Sequence, residues 1–120
     1  MKVPGMLLRR LYIKGSLHAT QGGFTFQLRN KLGSGYARRL LPLTLDGDEL
    51  DMASTRFEVD GKHQSFQDVT KDTPFTLGMN KITIISYSGA PLSEGPHKIG
   101  MRFEVAGLGE LGFDFSDVAD

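Results

Sequence analysis

The sequence predicts an all-β fold: an antiparallel β-sandwich of about nine short strands, jelly-roll or immunoglobulin-like. Three observations predict it. Short apolar runs alternate with polar residues at a period of two, which sends one face of each run to a core and the other to water. Fifteen glycines punctuate the runs. No stretch of helical length carries a 3.6-residue period.

The elements follow in order. The apolar residues of Leu7 to Ile13 suit a strand or one short helical turn, and the bracketing Gly5 and Gly15 favour the strand. Phe24-Thr25-Phe26-Gln27-Leu28-Arg29 alternates cleanly. Gly33-Ser34-Gly35 reads as a loop. Leu43-Thr44-Leu45 runs into Asp46-Gly47, and Phe57-Glu58-Val59 runs into Asp60-Gly61. Asp-Gly at the end of an alternating run is a hairpin signal, because a type I′ turn needs positive φ at both central residues. Asp68-Val69-Thr70 suits a single helical turn that Pro74 soon ends. Lys81 to Tyr87 is β-branched and mostly apolar, as expected of a central strand. Gly89-Ala90-Pro91 and Glu94-Gly95-Pro96 are loops. Met101 to Val105 and Leu111 to Phe115 alternate on either side of Gly107-Leu108-Gly109, a third hairpin.

The chain has 120 residues, the size of a single domain spanning residues 1–120. It has no Cys, which excludes disulfides and thiolate metal sites. Fourteen Lys and Arg balance fourteen Asp and Glu. That balance argues against non-specific binding to nucleic acid or an anionic membrane. No apolar run reaches the ~20 residues of a membrane-spanning helix. The start has no apolar core of a secretory signal, and with the lack of Cys this suits the cytoplasm.

No catalytic motif in the sequence is complete. His18, His63 and His97 share no short metal-ligand spacing, although distant residues of a sandwich can converge. Each reads as a surface-loop residue. Gly33-Ser34-Gly35 lacks the spacing of a nucleophile elbow. Asp46-Gly47-Asp48-Glu49-Leu50-Asp51 has calcium-loop composition, but its glycine comes too early. Gly107 to Gly112 fits G-x-G-x-x-G as a string and lacks the helix that a phosphate loop requires. Arg9-Arg10 and Arg38-Arg39 are basic doublets without interleaved exposed aromatics, so they do not make a single-strand nucleic-acid platform.

Gly15-Ser16-Leu17, then Gly23-Phe24-Thr25-Phe26-Gln27-Leu28-Arg29-Asn30, and the two Asp-Gly hairpins in this order resemble the small β subunit of C-glycoside deglycosidases. That resemblance implies a β-sandwich paired with a larger TIM-barrel α subunit. The α subunit would carry a divalent metal, typically manganese, and cleave the carbon–carbon bond of 3-oxo-glycosides. No catalytic or cofactor-binding residue would then lie on this chain, which would assemble and stabilise its partner. The least patterned residues, Tyr36, Arg38, Arg39, Phe75 and Tyr87, are the expected contact residues. The competing expectations are a stand-alone enzyme using the histidines and acids, and a sugar- or small-molecule-binding module with a concave apolar pocket. Homo-oligomerisation is a further expectation, because an open sandwich has strand edges to cover.

Overall fold

The computed structural model describes residues 3–120; Met1 and Lys2, which open the start read above, lie outside the described residues. The described chain is mostly β. Its strands are β1 His18–Ala19, β2 Gly23–Arg29, β3 Gly35–Ala37, β4 Arg39–Leu40, β5 Thr44–Leu45, β6 Asp48–Glu49, β7 Thr55–Val59, β8 Lys62–Ser65, β9 Phe75–Leu77, β10 Ile82–Ser88, β11 Pro96–Val105 and β12 Gly109–Val118. The sequence predicts about nine strands; the excess lies in two-residue pieces whose patterns are too short to recognise.

Two sheets carry the core. One is ordered β1-β2-β10-β7-β8; the other is β12-β11-β5-β6, with β4 also on β11. All strand pairs are antiparallel. β10 lies between β2 and β7, as its apolar composition predicts. Alternation fixes the facing: Phe24, Phe26 and Leu28 of β2 are buried, and so are Ile99, Met101 and Phe103 of β11. The inner faces meet ring to ring, with Phe26 against Phe115 at 5.1 Å edge-on. Tyr12 stacks on the same Phe115 ring at 3.6 Å. A small pair, β3 with β9, closes one end of the sandwich.

The three hairpins form where the sequence places them. Asp46 and Gly47 take φ of 52° and 93°, and Asp60 and Gly61 take 53° and 80°, the type I′ geometry. Gly23 serves a close approach instead: a Cβ there would stand 1.8 Å from the Tyr87 carbonyl oxygen.

Leu7 to Ile13 is not a strand. Gly5–Leu8 forms one helical turn, α1, and Arg9–Leu11 a 3-10 turn. Pro4 caps α1, and its carbonyl accepts the amides of Leu7 and Leu8. Leu8 and Leu11, three residues apart, then fall on one buried side. This segment lies along the outer edge of β12. Arg9 Nε donates to the Asp114 carbonyl at 2.6 Å, satisfying an edge acceptor that a second chain would otherwise find. Tyr12 Oη and the Gly15 amide both donate to Asp117 Oδ2, at 2.7 and 3.0 Å. Burial, with the hydrogen bond to Asp117 and its charge, pushes the Tyr12 phenol up to about 12. The same hydrogen bonds hold Asp117 below the usual carboxylate range. The single turn expected at Asp68 forms slightly earlier, as a 3-10 turn over Phe66–Asp68.

Candidate docking cleft

At the end of the sandwich closed by β3 and β9, an apolar cleft of about 310 Å³ opens between the sheets. Its floor is Phe75, Leu77, Phe103 and Leu111, all buried. Its mouth is apolar as well: Leu7, Leu32, Tyr36 and Leu108 line it and are 38, 39, 57 and 42% exposed. Three separate segments therefore hold four large apolar side chains in water around one opening. Such clustering at the edge of a hydrophobic cavity marks an interaction surface.

Asn30 is buried in the wall, and all its polar capacity is used internally. Its Nδ2 donates to the carbonyls of Gly33 and Leu77, at 2.6 and 2.9 Å. Its Oδ1 accepts the amides of Leu32 and Gly33, at 2.9 and 3.2 Å. Asn30 thus shapes the turn that raises Leu32 to the mouth and offers the cleft no unmet donor or acceptor of its own.

The expected contact residues divide among three places. Tyr36 and Phe75 line the cleft, brought together by the pairing of β3 with β9. Phe75 is buried, so a partner reaches it only through the opening. Arg38 and Arg39 do not line the cleft; both guanidiniums bind the Glu104 carboxylate, at 2.7 and 3.0 Å, on the face of β11 opposite to Phe103. Tyr87 is elsewhere. It packs on Phe24, the register partner at the opposite end of β2 from Asn30. Leu7, Leu32 and Leu108 were missed, although Leu32 and Leu108 carried a signal: a leucine beside glycines in a turn, where solvated residues are expected.

The histidines are not all surface-loop residues. His18 lies on β1, paired with Asp120, and His63 lies on β8, 3.1 Å from Glu58. His97 is buried on β11. Its Nδ1 meets Asp46 Oδ2 at 2.6 Å and its Nε2 meets the Ser93 carbonyl at 2.7 Å. Ser93 Oγ is also 3.3 Å from Nε2, so acid, imidazole and hydroxyl occur in the order of a hydrolase triad. The carbonyl decides against that chemistry. Both ring nitrogens face acceptors, an arrangement that favours the doubly protonated ring, and an imidazolium cannot take a proton from serine. The hydrogen bonds to Asp46 and to Ser93 raise the His97 pKa. The Lys98 amide, at 2.8 Å, and His97 lower that of Asp46. The cluster clamps the β5–β6 hairpin to β11.

Among the described residues, no group of three or more His, Cys, Asp or Glu is placed to hold a metal ion. A polar trough of about 660 Å³ crosses the outer face of the second sheet. Its cations already face acids across it: Arg9 and Lys98 toward Asp114, and Arg102 toward Glu49. No helix of the described residues is long and apolar enough to cross a membrane.

The family model of the hydroxymethylglutaryl-CoA reductase N-terminal domain matches residues 7–120. No curated protein matches the chain. The family match overturns the kinship with C-glycoside deglycosidase β subunits. The residues that suggested that kinship serve the sandwich itself: Leu17, Phe24, Phe26 and Leu28 are core, and Gly23 and the Asp-Gly pairs are backbone devices. Another sandwich needs the same residues for the same reasons. The barrel partner and its manganese were implied by that resemblance alone.

Proposed function

The chain belongs to the family of hydroxymethylglutaryl-CoA reductase N-terminal domains, and from that premise we propose that it is a non-catalytic docking domain, which holds a partner polypeptide at the β3–β9 end of the sandwich. The observation that carries this reading is the apolar cleft continuous with four exposed apolar side chains. A ligand pocket of similar volume usually presents a few free polar groups that orient its ligand. Here the wall asparagine is fully bonded to its own chain, which favours an apolar anchor over a sugar. Tyr36 at the mouth is a residue type favoured at protein interfaces. The family's name supports a domain that serves a larger enzyme, so a reductase catalytic domain is the partner to try first. A cytoplasmic setting belongs to the same proposal and rests on the absence of Cys.

The test is recovery of the tagged full chain from its own cells, with the stoichiometry of whatever co-elutes. Leu108→Glu and Tyr36→Glu are expected to abolish an equimolar partner. Asp48→Lys, on the β5–β6 hairpin, is expected to retain it. Retention by both cleft variants, with melting temperatures unchanged, rejects the reading.

A further inference from the structure

We infer that a second cavity binds a small monocarboxylate with an apolar body. This site does not depend on the docking reading. The cavity lies beside the β7–β8 hairpin, holds about 440 Å³ and shares no lining residue with the docking cleft. Its volume falls within the ~300–1,000 Å³ range of small-molecule sites. At ~30 Å³ per non-hydrogen atom it takes a molecule of about fifteen. Phe57 and Val59 of β7 give it an apolar floor. Two ties join the hairpin to the chain on either side of β9 and frame the cavity. In one, Lys81 Nζ donates to Asp60 Oδ2 at 2.7 Å. The Lys81 stem lies over Gly78, where a Cβ would stand 3.0 Å from its Cγ. In the other, Gln64 Nε2 donates to the carbonyls of Asp68 and Thr73, at 3.2 and 3.3 Å.

The strand register sets which side chains share the floor's face. Lys62 pairs with Val59 and Gln64 with Phe57, and directly opposed residues project from the same face of a sheet. His63 pairs with Glu58 on the opposite face, and the two bond to each other at 3.1 Å. The charge on the lining then reduces to one cation. Lys81 and Asp60 offset each other. Lys62 is exposed and takes part in none of the ion pairs among the described residues. Asp68, Lys71 and Asp72 lie in the loop before β9, and none of the three lines the cavity. Thr76, exposed between buried Phe75 and Leu77, adds a hydroxyl without a partner among the described residues. The lining thus offers an unspent ammonium and an unspent hydroxyl over an apolar floor. A carboxylate accepts from both donors, and its apolar body covers Val59.

NMR titration of the isotope-labelled full chain with hydrocinnamate, and with hydrocinnamyl alcohol as its neutral counterpart, tests the site. Both probes carry the same apolar body. Saturable amide shifts are expected at Val59, Lys62 and Thr76. The carboxylate should bind about threefold tighter, the worth of one exposed charge pair. Lys62→Gln should remove that preference and keep the weaker binding of the alcohol. No saturable shift with either probe overturns the site. Equal binding of the two, or a preference that survives Lys62→Gln, overturns the carboxylate. Shifts confined to Leu32, Tyr36 and Leu108 place the probes in the docking cleft and overturn the proposal.

Discussion

Phe26 and Phe115 form the ring contact that joins the two sheets, and truncating either to leucine tests whether the sandwich packs as described. Phe26 is fully buried. Its ring lies 5.1 Å from Phe115 and 6.1 Å from Tyr12, both edge-on. A buried Phe removes about 150–250 Å² from water, an upper bound of roughly 4–6 kcal/mol at ~25 cal/mol/Å². Leucine keeps much of that area, so each single variant is expected to lose about 1–3 kcal/mol. The edge-to-face geometry adds a pair term of about 0.5–1.5 kcal/mol, which belongs to neither residue alone. Once one ring is gone, removing the second therefore costs less by that amount. Urea denaturation of the native chain, both single variants and the double variant closes the cycle. Additive losses, with no coupling between the two positions, would refute the inter-sheet contact.

Three further outcomes follow from the same geometry. Gly23→Ala drives a Cβ into the Tyr87 carbonyl at 1.8 Å and is expected to cost about 1–3 kcal/mol, read by thermal melting; an unchanged melting temperature contradicts that close approach. The Thr83 hydroxyl is buried without a partner among the described residues, so Thr83→Val should gain about 1 kcal/mol in the same assay; a loss would mean that the hydroxyl has found a bond. The His97 clamp makes stability depend on pH in a stated direction. The folded pKa of His97 lies above its ordinary 6.5, so its contribution is full below that value and fades as the pH rises through the folded value. The folded pKa of Asp46 lies below its ordinary 3.8, so its contribution is present above that value and is lost as the pH falls through the folded value. His97→Gln should therefore flatten the decline in melting temperature on the alkaline side of about pH 6.5, and parallel profiles would argue against the clamp.

Much of the fold was legible because a strand's period of two is a strong local signal. Phe24, Phe26 and Leu28 point inward as their spacing requires, and Asp46-Gly47 and Asp60-Gly61 turn as their chemistry requires. At the start of the chain Leu7, Leu8 and Leu11 suit a strand or a helical turn by content; Pro4 and the three-residue spacing decide for the turn, against the bracketing glycines. His97 had a usable signal. Continuing the inward series Phe103, Met101, Ile99 by one step places it inside, and the neighbouring Gly95-Pro96 loop masked that step. The cleft was less legible. Its walls come from segments as distant as Leu7, Phe75 and Leu108, and no local pattern announces that they meet. Of the least patterned residues, Tyr36 and Phe75 line the cleft, Arg38 and Arg39 bind Glu104, and Tyr87 packs on Phe24 elsewhere.

Photo-crosslinking in the protein's own cells tests the central claim most directly. A diazirine-bearing residue is placed at Leu108, in the cleft mouth, or at Asp48, on the far hairpin. The account predicts one dominant protein adduct from position 108, absent from position 48 and lost when Tyr36→Glu is added. No adduct from position 108, or the same adducts from both positions, would contradict docking through the cleft.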